Sequence, residues 1–246
     1  MKNYIKADLF RIFTRIPRWI LIGFVLFIVG AVFWPGDNED ATIIQLMDML
    51  EMTIKYAPVY LGFIEIIYIF GDDFAGKTAQ IAIGTGVKRN EVILAKWLEV
   101  IIITAVDICM ITLVAVVFCL IKCHNIPFNL LVDLLAHMLV GVLATAAFMA
   151  LVFPIMFAMQ NITLAFLVYI MIASGAINSL IGYLAGFKWV RVLRLDQFTL
   201  SNCLNVFRSR MVLGSFQWES MAGIILYIGI TLGVTCFIYK SRELEF

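Results

Sequence analysis

Long apolar stretches separated by short polar segments run through the chain from end to end. A helix that crosses a hydrocarbon core of ~30 Å needs ~20 mainly apolar residues, because each residue adds ~1.5 Å along its axis. The pattern therefore predicts an all-α membrane protein with six transmembrane helices, over residues 17–34, 54–70, 97–121, 133–158, 162–186 and 221–239. The fourth and fifth are separated at the polar step Gln160-Asn161, shortly after Pro154.

Two further segments have apolar residues at helical spacing. Residues 1–16 place Ile5, Leu9, Ile12, Phe13 and Ile16 on one face and Lys2, Lys6, Arg11 and Arg15 on the other. This pattern predicts a helix that lies in the membrane interface and is retained, because no small-residue cleavage pattern follows. In residues 187–220 the apolar positions are Leu193, Leu200, Leu204, Phe207 and Met211. They predict an amphipathic helix on or in the outer leaflet, with a folded outer loop as the alternative.

The composition agrees with a membrane protein and excludes several other classes. Apolar residues make up 63% of the chain, charged residues make up 14%, and the mean hydropathy is +1.00. A soluble domain is about half apolar and about a quarter charged. The isoelectric point near 7.6 does not indicate the basic surface of a nucleic-acid-binding protein. The five cysteines have no metal-ligand spacing, so we expect no metal site.

The distribution of positive charge predicts the orientation in the membrane. With both termini in the cytoplasm, eleven lysines and arginines are cytoplasmic, namely Lys2, Lys6, Arg11, Arg15, Arg18, Lys77, Lys88, Arg89, Lys96, Lys240 and Arg242. Of the seven on the other side, five lie in segment 187–220, namely Lys188, Arg191, Arg194, Arg208 and Arg210. Tryptophans mark the span ends at positions 19, 34, 97, 189 and 218. Because cytoplasmic loops are enriched in positive charge, we expect a multi-pass cell-membrane protein with cytoplasmic termini.

One short segment matches the phosphate-binding pattern G-x-x-x-x-G-K-[ST]. It runs from Gly71 to Thr78, and the apolar run ending at Asp107 resembles the Mg²⁺-binding motif that accompanies it. The phosphate loop must follow a β-strand and open a helix, whereas this segment leaves a predicted membrane span. We therefore expect this chain to bind no nucleotide cofactor.

The loop of residues 72–96 resembles the corresponding loop of ABC-2 permeases, the membrane subunits of one class of ATP-binding-cassette exporters. It has, in order, Asp73, Gly76-Lys77-Thr78, Lys88-Arg89 and Lys96. The family has an acidic residue and a Gly-[KT]-T-like step after span two, then a short helix, a basic turn and a lone lysine before span three. The acidic residue is usually Glu where Asp73 stands here. The resemblance extends over the N-terminal helix, the six spans, the helix before span six and the basic C-terminal tail.

This resemblance implies a coupling helix, roughly Asp73 to Val87, that docks on a separate cytoplasmic ATPase. The coupling residues would be Asp73, Phe74, Gly76, Lys77, Thr78, Ile81, Lys88 and Arg89. A loop that only connects two spans is the alternative. ATP and Mg²⁺ would be bound by the partner, so this chain would be a transport subunit and not an enzyme. It would pair with a second permease as a homodimer or heterodimer and export amphipathic or antimicrobial peptides, or otherwise drugs, lipids or polysaccharide.

Three ionisable residues are predicted to lie inside spans. They are Glu65, Asp107 and His137, and ionisable groups at this depth normally face other helices or an aqueous path. Three interpretations are open: hydrogen bonding between helices, a substrate pathway, or a membrane-protease site, although no H-E-x-x-H motif occurs. A secondary transporter or channel is a further alternative, but the two halves of the chain show no inverted repeat.

Overall fold

The computed structural model describes residues 2–33, 43–75, 78–123, 128–185, 199–212 and 215–241. Within these ranges the chain is helical apart from short breaks and contains no β-strand. The elements are α1 Lys2–Phe13, α2 Ile16–Phe33, α3 Ile43–Glu65 continued by a π-helical turn Ile66–Phe70, α4 Gly71–Ala75, α5 Thr78–Gly84, α6 Arg89–Cys123, α7 Phe128–Met159, α8 Ile162–Ala173, α9 Ala176–Ala185, α10 Leu200–Val212 and α11 Trp218–Ser241. The predicted all-α class is therefore confirmed for the described residues.

Four segments are each long and apolar enough to cross a membrane. They are Asp48–Phe70, Arg89–Phe118, Val132–Met159 and Trp218–Ser241. The pairs α1–α2 and α8–α9 are long and apolar enough to cross a membrane only if each pair is counted as one span. The bend between the two helices is 64° in the first pair and 57° in the second. Among the described residues there are thus four spans, or six if each bent pair is one span. These lengths and their apolar character indicate a multi-pass membrane protein.

Helix α7 lies at the centre of the bundle, in contact with α3, α6, α8, α10 and α11. Small residues on α7 let its neighbours approach closely. A Cβ atom at Gly141 would lie 2.8 Å from Cγ2 of Ile54 on α3 and 3.0 Å from Cδ1 of Ile108 on α6. The three helices therefore meet at a position that only glycine fits.

The observed helices differ from the predicted spans mainly at their ends. Helix α3 begins at Ile43 and α6 at Arg89, whereas the apolar runs begin at residues 54 and 97. Hydropathy detects the part of a helix that lies in hydrocarbon, and these helices continue beyond it through charged residues. The predicted fifth span is divided at Gly175, whose φ of +79° is readily adopted only by glycine and lets α9 leave in a new direction.

The predicted coupling helix, roughly Asp73 to Val87, is helical in its described residues as far as Gly84, because α4 ends at Ala75 and α5 runs from Thr78 to Gly84. A turn follows in which Gly86 has φ +103°. Gly76 and Lys77, two of the predicted coupling residues, lie outside the described residues.

The amphipathic helix before the last span is present as α10. Its apolar residues Leu200, Leu204 and Phe207 are buried, and the helix packs against α7 and α11. Much of its apolar face is thus covered by α7 and α11, because periodicity identifies a buried face but not what buries it. Several residues used in the sequence argument lie outside the described residues, namely Trp34, Lys188, Trp189, Arg191, Leu193 and Arg194.

Candidate functional site

A buried group of charges lies where α1, α4 and α6 meet. Nζ of Lys96 lies 2.5 Å from Oδ2 of Asp73 and 3.2 Å from Oε2 of Glu99, and it also contacts Oδ2 of Asp8. Only 1% of the Lys96 surface is exposed. A single ammonium group thus joins carboxylates from three helices.

An arginine completes the group. Nη2 of Arg11 lies 3.0 Å from Oδ1 of Asp8 and 3.3 Å from Oδ1 of Asp73, and the hydroxyl of Thr78 donates to that same Asp73 oxygen. Asp8 and Arg11 are one turn apart on α1, as Lys96 and Glu99 are on α6, so helix geometry places each pair on one face. We call Asp8, Arg11, Asp73, Lys96 and Glu99 the charged cluster.

The charged cluster holds three carboxylates and two permanent cations. Since a buried charge without a partner is very costly, each member depends on the others remaining in place. Asp73 accepts hydrogen bonds from Arg11 and from Thr78 on α5 and forms an ion pair with Lys96, so it connects the loop after α3 to α1 and α6.

The other predicted coupling residues fall into two groups. Ile81 on α5 is 62% exposed, and Lys88 is also exposed. Phe74 instead faces the protein, with its ring centroid 5.9 Å from that of Phe70 and 6.5 Å from that of Phe157. Arg89 donates to the carbonyls of Tyr239 at 2.9 Å and of Lys240 at 3.0 Å, and so caps the C-terminal end of α11.

The segment that matches the phosphate-binding pattern has a different local structure. Residues Gly71–Ala75 form helix α4, which directly follows the π-helical turn at the end of α3. A phosphate loop instead follows a strand and wraps the phosphates with its backbone N–H groups. The hydroxyl of Thr78, which would bind Mg²⁺ in such a loop, donates to Asp73. The described residues of this segment are thus helical, and Gly76 and Lys77 lie outside them.

A second buried ion pair lies inside the bundle. Nη2 of Arg18 on α2 lies 2.5 Å from Oδ1 of Asp107 on α6, and both side chains are completely buried. The guanidinium carbon of Arg18 also lies 4.8 Å from the ring centroid of Phe13 and 5.2 Å from that of Trp19. Aromatic rings from both sides of the α1–α2 bend thus help to hold this cation.

The other two ionisable residues of the spans have partners on different helices. Glu65 on α3 accepts a hydrogen bond from Thr104 on α6. Nδ1 of His137 lies 2.8 Å from the carbonyl oxygen of Asp133, and its Nε2 lies 3.5 Å from Oε1 of Glu51. Glu65 also lies close enough to Asp107 and Arg18 to interact with them electrostatically, whereas the contacts of His137 are with Asp133 and Glu51. Across the described residues, no group of three potential metal ligands is present.

Sequence reasoning did not identify the partners Asp8, Arg18 and Glu99, although each had a recognisable signal. Asp8 lies between Ile5 and Ile12 on the apolar face of α1, where a carboxylate needs a partner. Arg18 and Glu99 both lie within predicted apolar spans. Ionisable residues inside membrane spans usually pair with one another. Arg18 and Glu99 could therefore have been predicted, together with Glu65 and Asp107, to take part in buried ion pairs.

Comparison with known proteins leaves the family of this chain open. No protein-family model matches the chain, and no curated protein matches it in sequence. The resemblance to ABC-2 permeases therefore depends on the sequence pattern alone.

Proposed function

We propose that this chain is the permease subunit of an ATP-binding-cassette exporter in the cell membrane, with both termini in the cytoplasm. A separate ATPase subunit would bind ATP and Mg²⁺ and supply the energy, and a second permease, identical or related, would complete the pathway. The exported substrate would be an amphipathic or antimicrobial peptide, with drugs, lipids and polysaccharide as the alternatives within this class.

The contact between Asp73 and Lys96 carries the proposal. These are the acidic residue after span two and the lysine before span three in the ABC-2 pattern, and they lie within 2.5 Å of each other. An exporter must transmit movement of its ATPase to its membrane helices. A loop joined through Asp73 to α1 and α6 is suited to transmit such movement, because buried ion pairs with several partners resist separation.

The exposed part of the loop supports a docking role for α5. Ile81 and the basic residue Lys88 are accessible, whereas Phe74 is packed inward and Arg89 caps α11. An exposed isoleucine with positive charge nearby is suited to the edge of a protein interface. The proposed docking surface therefore comprises α5 and the turn up to Lys88, without Phe74 and Arg89.

The substrate class has support from an apolar groove of about 500 Å³ between α6, α7 and α11. Its lining is almost entirely apolar and includes Trp97, Cys109 and Met138. Grooves of this size and character accommodate the apolar part of an amphipathic molecule. A polysaccharide, which offers hydroxyl groups, fits such a lining less well.

Site-specific photocrosslinking tests the docking surface. A photoreactive phenylalanine derivative at position 81 should crosslink to a protein that carries its own phosphate loop and hydrolyses ATP. The matched control is position 225 on α11, which is 56% exposed and lies within a candidate span. Crosslinks to the ATPase from position 225 but not from position 81 would contradict the proposal.

A secondary transporter is the alternative that a structural feature favours. The bend of 57° between α8 and α9 gives one span an interrupted helix, and interrupted helices often form ion and substrate sites in secondary transporters. Proteoliposomes separate the two functions. Transport that needs ATP and the ATPase supports the exporter, whereas transport driven by an ion gradient without ATP would exclude it.

A further inference from the structure

A cavity of about 260 Å³ lies between α3, α7, the α8–α9 break and α10. Its inner wall includes the buried residues Ala144, Phe148 and Leu204. Its rim carries seven side chains that can donate hydrogen bonds, namely Lys55, Tyr56, Ser174, Asn178, Ser201, Asn205 and Arg208. The cavity therefore combines an apolar interior with a polar, basic rim.

The two cations of the rim are available to a ligand. Within the described part of the chain, neither Lys55 nor Arg208 has a carboxylate within 4.0 Å. Burial lowers the pKa of Arg208, and the nearby carboxylate of Glu51 acts in the opposite direction. A guanidinium group stays charged in proteins, so this partly buried cation lacks the close anion that would compensate it. The Glu51 carboxylate itself lies 3.5 Å from His137.

We propose that this cavity binds the phosphate group of an amphiphilic molecule such as a phospholipid, with Arg208 and Lys55 in contact with the phosphate oxygens. A phosphate accepts more hydrogen bonds than a carboxylate, which suits a rim with seven donor side chains. The volume is below the ~300 Å³ at which sites for drug-sized ligands begin, so it suits a headgroup rather than a whole drug.

The position of the rim supports an amphiphile rather than a soluble anion. Lys55 is exposed and lies next to the start of the apolar run 54–70, near the predicted boundary between hydrocarbon and headgroups. Phe148 and Ala144 extend the cavity with apolar surface. The proposal is independent of the exporter function, because it depends only on the residues that line the cavity.

Calorimetric titration of the full chain in detergent tests the site. The probes are dihexanoyl phosphatidic acid, dihexanoylglycerol, which lacks only the phosphate, and inorganic phosphate. We expect saturable binding of the phosphatidic acid, weakened about tenfold or more in Arg208→Gln and in Lys55→Gln, because each removes a charged hydrogen bond. Arg210→Gln is the matched control, because Arg210 is exposed on the same helix and does not line the cavity.

Each outcome has a defined meaning. Inorganic phosphate that binds as tightly as the phosphatidic acid, with the same loss in both variants, overturns the amphiphile as the ligand, because the cavity would then recognise phosphate alone. Dihexanoylglycerol that binds equally well, or affinity unchanged in Lys55→Gln and Arg208→Gln, overturns the proposal. Lys55 is exposed, so Lys55→Gln decides the question even where Arg208→Gln does not fold.

Discussion

Asp73 and Lys96 form a buried ion pair, with Oδ2 of Asp73 lying 2.5 Å from Nζ of Lys96. Asp73 lies on α4, just after a candidate span, and Lys96 lies two turns into α6. Asp8 on α1 shares the same ammonium group. Three segments with different sequence patterns, an amphipathic helix, a polar loop and an apolar helix, are thereby joined at a single point.

Replacement of Lys96 should destabilise the protein strongly. Lys96→Met leaves Asp8, Asp73 and Glu99 with Arg11 as their remaining cation, and removal of one partner from a buried ion pair costs about 3–5 kcal/mol. Thermal unfolding in detergent, followed by tryptophan fluorescence, should show a clearly lower midpoint. Lys88→Met removes an exposed lysine nearby and should change the midpoint little. Equal midpoints for both variants would show that the charged cluster does not stabilise the fold.

The pair Arg18–Asp107 should show strong coupling in a double-mutant cycle. Arg18→Met alone leaves a buried carboxylate, Asp107→Asn alone leaves a buried guanidinium group, and each should cost about 3–5 kcal/mol. The double variant leaves no unpaired charge and should recover much of this loss. The unfolding midpoints of the three variants and the parent give the coupling. Additive losses would mean that the two groups do not interact.

Gly62 should not tolerate a methyl group. A Cβ atom at this position would overlap the hydroxyl and the ring of Tyr169, whose hydroxyl donates to the carbonyl of Pro58. Gly62→Ala should therefore destabilise the protein by about 1–3 kcal/mol through overpacking. Gly23→Ala is the matched control, because no atom lies within 4 Å of a Cβ there. The control should be neutral or stabilising by ~0.5–1 kcal/mol, since alanine favours the helix. If both variants destabilise the protein to the same extent, the close contact between Gly62 and Tyr169 is contradicted.

The proposed orientation predicts opposite accessibility for two exposed positions. In a background without the five native cysteines, Thr85→Cys should react with a membrane-impermeant maleimide only after the cells are opened. Ser209→Cys on α10 should react in intact cells, because the positive-inside tally places that helix outside. Labelling of Thr85→Cys in intact cells and of Ser209→Cys only in opened cells would show that the orientation is the opposite of the proposed one. Labelling of both cysteines from the same side of the membrane would exclude the six-span arrangement.

The apolar pattern was enough to predict an all-helical membrane protein, because crossing a hydrocarbon core demands long apolar runs whatever the fold. It did not predict the ends or bends of the helices. The break between α8 and α9 lies at Ser174-Gly175, a short step inside a long and mainly apolar run, and the positive φ of Gly175 identifies it as a break. The burial of α10 against α7 is likewise a tertiary contact that a single amphipathic pattern cannot identify.

The charged cluster was predictable only in part. The loop pattern identified Asp73 and Lys96, but it did not relate them to each other. Their contact depends on how α4 folds back beside α6, and on the position of α1, which brings Asp8 to the same lysine. The pairing of Asp107 similarly requires the α1–α2 bend that brings Arg18 into the bundle. Residue types thus indicate that a partner is needed, whereas the three-dimensional arrangement decides which partner it is.

The isolated chain should bind no ATP, although residues 71–78 match the phosphate-binding pattern. Residues Gly71–Ala75 are helical, Thr78 donates to Asp73, and Asp73 also pairs with Lys96. A helix that follows another helix does not present its N–H groups as a loop around phosphates, and the Asp73 carboxylate would repel them. Lys77 lies outside the described residues, so its role is tested by substitution.

Calorimetric titration of ATP and Mg²⁺ into the full chain in detergent measures this directly, with no saturable heat expected. On the coupling interpretation, Lys77→Ala weakens only the association with the ATPase, by ~1 kcal/mol or less, as for an exposed charge at an interface edge. Saturable, Mg²⁺-dependent binding of ATP that is lost in Lys77→Ala but kept in Lys88→Ala would contradict the coupling interpretation. It would make residues 71–78 a nucleotide site, and this chain would then bind its own energy source instead of depending on a partner.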